Sequence, residues 1–192
     1  MFFATRPLPR DLDRLLAESS ALPLTYDPIG LAERSPPGYS VDEIAGSLGR
    51  GDAVFERAKT ALARWRHFDL GWAEIFPRNA PVDPGVVVLV VVRHLGFWSA
   101  NGCRVVYAVG HRRDGPRFGF AYGTLSNHAE AGEEIFEVGA VPESGEVRYR
   151  VRAVSRPRAA IARAGYPLVR HLQARFRRDS LAAMLRAVGS PG

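Results

Sequence analysis

Apolar and polar positions alternate with period two over much of the middle of this chain. The clearest case is residues 147–154. There Val147, Tyr149, Val151 and Ala153 share one parity, and Arg148, Arg150 and Arg152 share the other. Such alternation predicts a strand with one buried face and one wet face. Similar runs occur at residues 70–76, 86–93, 104–110, 117–125 and 134–141. The connections between them carry Pro, Gly, Asn or Asp, as in "PRNAPVDPG", "RRDGP" and "VPESG". Parallel crossovers need a dozen or more residues each, so six strands joined this closely must form an antiparallel meander. The run "VVVLVVV" at residues 86–92 is apolar on both faces. Its outer face therefore needs a cover. The N-terminal segment or a second copy of the chain, in a homodimer formed through residues 86–92, would supply one.

Two stretches follow a helical period instead. In "DAVFERAKTALARW", residues Val54, Phe55, Ala58, Ala61, Leu62 and Trp65 fall on one stripe, with Asp52 placed to cap. Toward the C-terminus, Leu168, Val169, Leu172, Phe176, Met184, Leu185 and Val188 form a second stripe. This predicts a long amphipathic helix across the sheet. "SRP" at residues 155–157 reads as the end of the sheet and the start of that helix, with Ser155 as its cap. Pro167 predicts a break or kink near Gly165 and Tyr166. The segment "YSVDEIAGSLGRG" fits either a capped short helix, through Ser40 and Glu43, or a strand. Ahead of it, residues 1–37 read as an arm, with a short amphipathic helix in "PRDLDRLLAES" and a Pro- and Gly-rich extended stretch. The main domain is expected over residues 38–190. The fold class is α+β: a curved antiparallel sheet of six to seven strands gripping a long kinked C-terminal helix.

Composition narrows the function classes. Seven apolar residues are far too few for a membrane helix, which needs roughly 20. The first residues, "MFFATRPLPRDLDRLL", lack a basic region followed by a long apolar core, so no signal peptide is expected. A single cysteine, Cys103, excludes an intrachain disulfide and suits a reducing, cytoplasmic setting. The net charge of +6 is uneven. Residues 148–192 hold eleven arginines and one acid, a balance of +10, which leaves −4 for residues 1–147. Lys59 is the one lysine among 26 basic residues, so arginine is a habit of the whole chain. The C-terminal arginines scatter over a strand and several helix faces, with no stacking aromatics among them. A nucleic acid or membrane surface is thus a poor fit as partner.

Element order resembles the helix-grip fold of the START and Bet v 1-like superfamily, in which a curved sheet wraps the last helix around a cavity. Three pieces resemble more closely the family called domain of unknown function 1990: "LGRGDAVFERAKTALARWRHFDLGW", "RFGFAYGTLSNHAEAGEEIF" and "AVSRPRAAIARAGYPLVRHLQARFRRDSLAAMLRAV". The resemblance spans most of residues 39–188 and leaves the first 36 or so outside it. That family name implies no activity. The superfamily implies either a ligand cavity or enzymes of cyclase, hydrolase or isomerase type.

The candidate chemistry centres on "RFGFAYGTLSNHAEAGEEIFEV". Phe118, Phe120, Tyr122 and Thr124 share one strand face, an aromatic wall with two hydroxyls, as ligand pockets have. Gly119, Ala121 and Gly123 form the opposite face and allow close approach of another segment. "SNHAEAG" reads as a loop at the rim, with His128 in it. Glu133 and Glu134 are adjacent, so on a strand they point to opposite faces and cannot share one ion. Which of the two faces inward stays open, and Glu134 is the one placed in the candidate set. Tyr107 and Arg156 complete the candidate set, Arg156 either gripping an anionic group or pairing with Glu133 or Glu134. Trp72 and Trp98 read as core, with Trp98 beside a turn in "GFWSANGC". No G-x-S-x-G elbow, P-loop, Rossmann fingerprint or zinc-ligand spacing is present, so neither cofactor nor metal is expected. The reading that follows is a protein that binds a small, largely apolar molecule in an internal cavity. An arginine-rich interaction module and an enzyme on the same scaffold are the alternatives.

Overall fold

The computed structural model describes the chain except residues 35, 95, 111–114, 159–165 and 190–192, and at 166–169 the backbone alone. Strand β1 (Phe2–Phe3) and helix α1 (Pro9–Ser20) open the chain. Strand β2 (Ser40–Arg50) and helix α2 (Asp52–Ala63) follow. Six strands come next: β3 (Ala73–Phe76), β4 (Val87–His94), β5 (Phe97–Val109), β6 (Arg117–Thr124), β7 (Glu130–Ala140) and β8 (Glu146–Pro157). Helix α3 (Tyr166–Gly189) closes the chain. Seven strands lie in the order β2-β8-β7-β6-β5-β4-β3, all neighbours antiparallel, with β1 paired to the free half of β5. The meander is therefore present, and the ambiguous segment at residues 40–50 is its seventh strand. The sheet curls around α3, which contacts β2, β8 and α2. This is the helix-grip arrangement.

The concave face holds the main core. Phe120, Phe136, Val138, Tyr149 and Val151 meet Phe55, Ala58 and Leu62 of α2 and Met184 and Val188 of α3. Gly51, with φ of +88°, turns the chain from β2 into α2 at a conformation that other residues adopt at a cost. Asp52 is the first residue of that helix, and no side-chain cap forms there. Leu185 is exposed, so the apolar stripe of α3 is narrower than its sequence suggests. The kink expected near Gly165 lies outside the described residues; Pro167 sits in the first turn of α3, where its missing N–H is tolerated.

On the convex side, Leu12 and Leu15 of α1 pack on Leu89 and Val91 of β4 and Ala100 of β5. This is why residues 86–92 are apolar on both faces. Fully burying each leucine is worth roughly 1.5–3 kcal/mol. Farther along, residues 24–34 run across β6 and β7. Thr25 donates its backbone N–H to the Thr124 carbonyl at 3.0 Å, and Leu24 bridges Leu125. Any side chain at Gly123 would overlap the Tyr26 ring, so the small-residue face of β6 serves close approach of this arm. Arg152 fastens it further, donating to the carbonyls of Ala32 (2.7 Å) and Arg34 (3.0 Å).

Four strand limits differ from the sequence expectation by more than one residue. Strand β5 begins at Phe97 rather than Arg104, and Trp98 lies within it, packed toward α1 rather than at a turn. Polar Ser99 and Asn101 had disguised the strand, because its concave side meets a polar part of the cavity. Strand β7 begins at Glu130, so "EAG" at residues 130–132 is strand rather than loop. Strand β8 runs through Ser155 and Arg156 to Pro157; Ser155 is no helix cap. Strand β3 starts at Ala73, three residues later than expected.

Candidate functional site

A cavity of about 400 Å³ opens between the curled sheet and α3. It exists because the residues at the β7–β8 end of the concave face are small. Ala129, Gly132, Ala153 and Ser155 line it where larger side chains would fill it. Its apolar walls come from Phe68, Trp72, Val90, Val92, Leu172 and Phe176. Phe2 and Phe97, both exposed, stand at its outer end with their rings edge to face, centroids 5.8 Å apart.

Strand parity sets the polar groups. Glu130, Gly132 and Glu134 share the concave side of β7, and Tyr122 lies directly opposite Glu134 across the β6–β7 ladder. The Tyr122 hydroxyl donates to Glu134 Oε2 at 2.7 Å. Burial holds the Glu134 carboxyl up at about 7, while the Tyr122 hydrogen bond and the charge of Arg177 pull it the other way. Burial also raises Glu130, against the hydrogen bond from Gln173. Gln173 Nε2 donates to both Glu130 oxygens, at 2.9 and 3.1 Å, and to Ser155 Oγ at 3.3 Å. Arg177 reaches the cavity from α3, yet its guanidinium is 3.1 Å from Asp42 Oδ1 on β2. Arg170 grips the same carboxylate with two hydrogen bonds, one of them 2.8 Å.

Two histidines line the cavity. His128 Nδ1 accepts the Glu130 backbone N–H at 3.0 Å. Burial, then the nearby charged chain terminus, lowers its imidazole to about 4, so it is neutral near pH 7. His94 Nε2 pairs with Ser99 Oγ at 2.7 Å, and burial lowers its pKa as well.

Of the candidate residues, Tyr122, Thr124, His128 and Glu134 line the cavity. The other four do not. Phe118 and Phe120 face the concave side but pack under α2 in the solid part of the core. Tyr107 points to the convex side, where its hydroxyl donates to Glu133 at 2.9 Å. A bulge between Val105 and Tyr107 shifts the register there and reverses the parity that an unbroken strand would have. Arg156 lies on the exposed side of β8 with its guanidinium over the Tyr39 ring, 4.7 Å from the centroid. It pairs with neither glutamate, since the strand carries it past the expected helix start.

Glu133 has a different task. Buried on the convex side, it accepts from Tyr26 Oη (2.6 Å), Gly30 N (3.0 Å), Ala32 N (2.9 Å) and Tyr107 Oη. Four donors fill its lone pairs and clamp the arm to β7.

Sequence reasoning missed Glu130, Gln173, Arg177 and the Trp72 wall. Glu130 has the parity of Glu134, and starting β7 four residues earlier would have found it. Gln173 and Arg177 are four apart on α3 and interrupt its apolar stripe, a signal available in the sequence. Among the described residues, no group of three or more His, Cys, Asp or Glu is placed to hold a metal ion. No described helix is long and apolar enough to cross a membrane.

Comparison with known proteins places this site in a family. A crystal structure of a hypothetical protein from Helicobacter pylori shares the fold at 12% identity, with a TM-score of 0.52 over 80% of this chain and 94% of that one. A UPF0548 protein from Dictyostelium discoideum is 38% identical over 160 residues, covering 79% of this chain and 74% of its own. Another from Arabidopsis thaliana is 33% identical over 162 residues, covering 83% and 78%. The model of the family described as domain of unknown function (DUF1990) matches residues 25–183. The match takes in residues 25–34, which the sequence reading leaves outside the resemblance and which Glu133 and Arg152 hold against the convex face of the sheet. The chain belongs to the DUF1990 family.

Proposed function

We propose that this protein binds a small, largely apolar molecule in the cavity between the sheet and α3. The observation that carries the reading is the cavity itself. About 400 Å³ is left open in an otherwise well-packed core, with aromatic and aliphatic walls and a few polar groups gathered at one side. Interiors normally fill such space, and ligand sites have this composition.

The alternative of an arginine-rich docking surface has less support. Arg150 and Arg152 are tied to Glu43, Arg150 also to Glu137, and Arg170 and Arg177 to Asp42. Arg175 lies over the Trp72 ring and against Asp179. Their charge is largely spent inside the molecule. An enzymatic role would also begin with a guest in this cavity, because Tyr122 and Glu134 converge there within hydrogen-bond reach.

Native mass spectrometry of the purified protein against a panel of small apolar compounds tests the reading. Ala153→Leu, which fills the cavity from β8, should abolish the complexes that the unaltered protein forms. Complexes that survive this substitution at full intensity would place the guest elsewhere and sink the proposal.

A further inference from the structure

We propose that the guest carries a basic nitrogen: an alkyl or aryl amine, bound as its ammonium beside Glu134 and Glu130 with its apolar body against the aromatic wall. The inference rests on the binding reading above and names its ligand class.

It comes from the balance of charge around the cavity. Two carboxyls face the space from β7. Among the described residues, Glu134 receives one hydrogen bond, from the neutral Tyr122 hydroxyl, and Glu130 is met by the neutral Gln173 amide. Neither takes part in an ion pair with a described residue. The one guanidinium that lines the cavity, Arg177, is committed to Asp42, which lies two strands from Glu134 on the same face of the sheet and is also gripped by Arg170. Neither imidazole supplies a cation, since burial disfavours the charged form of His94 and His128. A buried carboxyl without a cationic partner is costly to ionise, and both glutamates bear this out in the direction of their titration. The Met1 ammonium, whose charge reaches His128, is held by the Ala100 carbonyl at 2.8 Å, and the two arginines are held by Asp42, so among the described residues no uncommitted cation is left for the two glutamates.

The walls suit one. Phe68, Trp72, Tyr122 and Phe176 present ring faces and edges to the same space, Phe68 and Phe176 with centroids 4.8 Å apart. An ammonium is attracted to such faces, more strongly where water is excluded. A carboxylate guest would add a further acid beside Glu130, Glu134 and Asp42. A neutral guest would leave the glutamates as they are.

Matched triplets of probes test this: an amine, the corresponding alcohol and the corresponding carboxylate on phenyl, naphthyl and hexyl bodies. Binding is measured by isothermal titration calorimetry at pH 8. On at least one body the amine should bind at least about tenfold more tightly than the alcohol, with the carboxylate weakest; a tenfold ratio corresponds to about 1.4 kcal/mol. Glu134→Gln, checked for folding by thermal unfolding, should bring the amine-to-alcohol ratio close to one. Glu130→Gln should lower it less. An alcohol or carboxylate that binds as tightly as its amine overturns the inference and leaves the cavity reading standing. So does an amine preference that persists in Glu134→Gln. No binding of any probe overturns both.

Discussion

Glu133 and Glu134 are neighbours on one strand, chemically identical, and opposite in every structural respect. Glu133 faces the convex side and accepts four hydrogen bonds, from Tyr107 of β5 and from Tyr26 and two backbone amides of the arm. Glu134 faces the concave side, accepts one, and borders open space. The first is a saturated structural clamp. The second has acceptor capacity in reserve. A buried polar group that is fully satisfied fixes structure, and one that is not marks where structure gave way to something else. The comparison separates the two faces of the sheet into a face that builds the molecule and a face that leaves room in it.

The largest effect should come from the clamp. Glu133→Ala leaves two hydroxyls and two amides without their acceptor, and each unsatisfied buried group costs about 1–3 kcal/mol. Some will rehydrate as the arm loosens, so a loss of about 3–5 kcal/mol in urea unfolding is expected. Hydrogen exchange should quicken at the amides of Gly30 and Ala32. A loss below about 1 kcal/mol would mean that the arm does not depend on this residue, and the contrast would collapse.

His67 offers the next test, because it is a buried polar group with no hydrogen-bond partner among the described residues. It is fully buried among Trp65, Phe68, Phe120 and Phe136, and neither ring nitrogen bonds to any of them. Burial lowers its pKa from 6.5 to about 3. The unfolded chain therefore takes up a proton below pH 6.5 that the folded chain refuses. His67 contributes no pH dependence above 6.5. Below that, it removes about 1.4 kcal/mol of stability per pH unit until the folded pKa is reached. His67→Leu should reduce the slope of stability between pH 6 and 4 by about that amount, as read from urea midpoints. An unchanged slope would show that the imidazole finds a partner or water.

The smallest effect, and the sharpest, belongs to Glu134→Gln. The folded pKa of Glu134 lies above its usual 4.5. Its contribution to stability is thus complete below about pH 4.5 and is lost as pH rises through about 7. Gln keeps an acceptor for the Tyr122 hydroxyl and carries no charge. The substitution should leave stability unchanged at pH 4.5 and raise it by about 1 kcal/mol at pH 8. Removing one glutamate would then destabilise the protein, and removing its neighbour would stabilise it. Destabilisation at pH 8 in both would remove the distinction between the faces.

Much of the fold was legible because it follows from local period. Alternation marked the strands, short turns made them antiparallel, and helical spacing marked α2 and α3. Errors gathered where cavity and core differ in polarity. Ser99 and Asn101 hid the first half of β5, and Ala131 and Gly132 made the first residues of β7 resemble a loop. Both stretches flank the cavity, where small and polar residues replace the apolar ones by which strands are recognised. For the site, parity put Tyr122 and Thr124 on one face of their strand and Glu133 and Glu134 on opposite faces of theirs, without saying which glutamate meets the cavity. It failed for Tyr107, where one extra residue in a bulge reverses the face and leaves no composition signal behind.

The sequence by itself determined which residues share a strand face or a helix stripe, and hence that Glu133 and Glu134 must part ways, because the period of a strand is a local property of the backbone. Only the tertiary structure decided which of them meets the arm and which meets the cavity. That choice depends on what packs against each face. Three of the four partners of Glu133 come from about a hundred residues earlier in the chain, the side-chain partner of Glu130 from some forty residues later, and no local pattern encodes contacts over such distances.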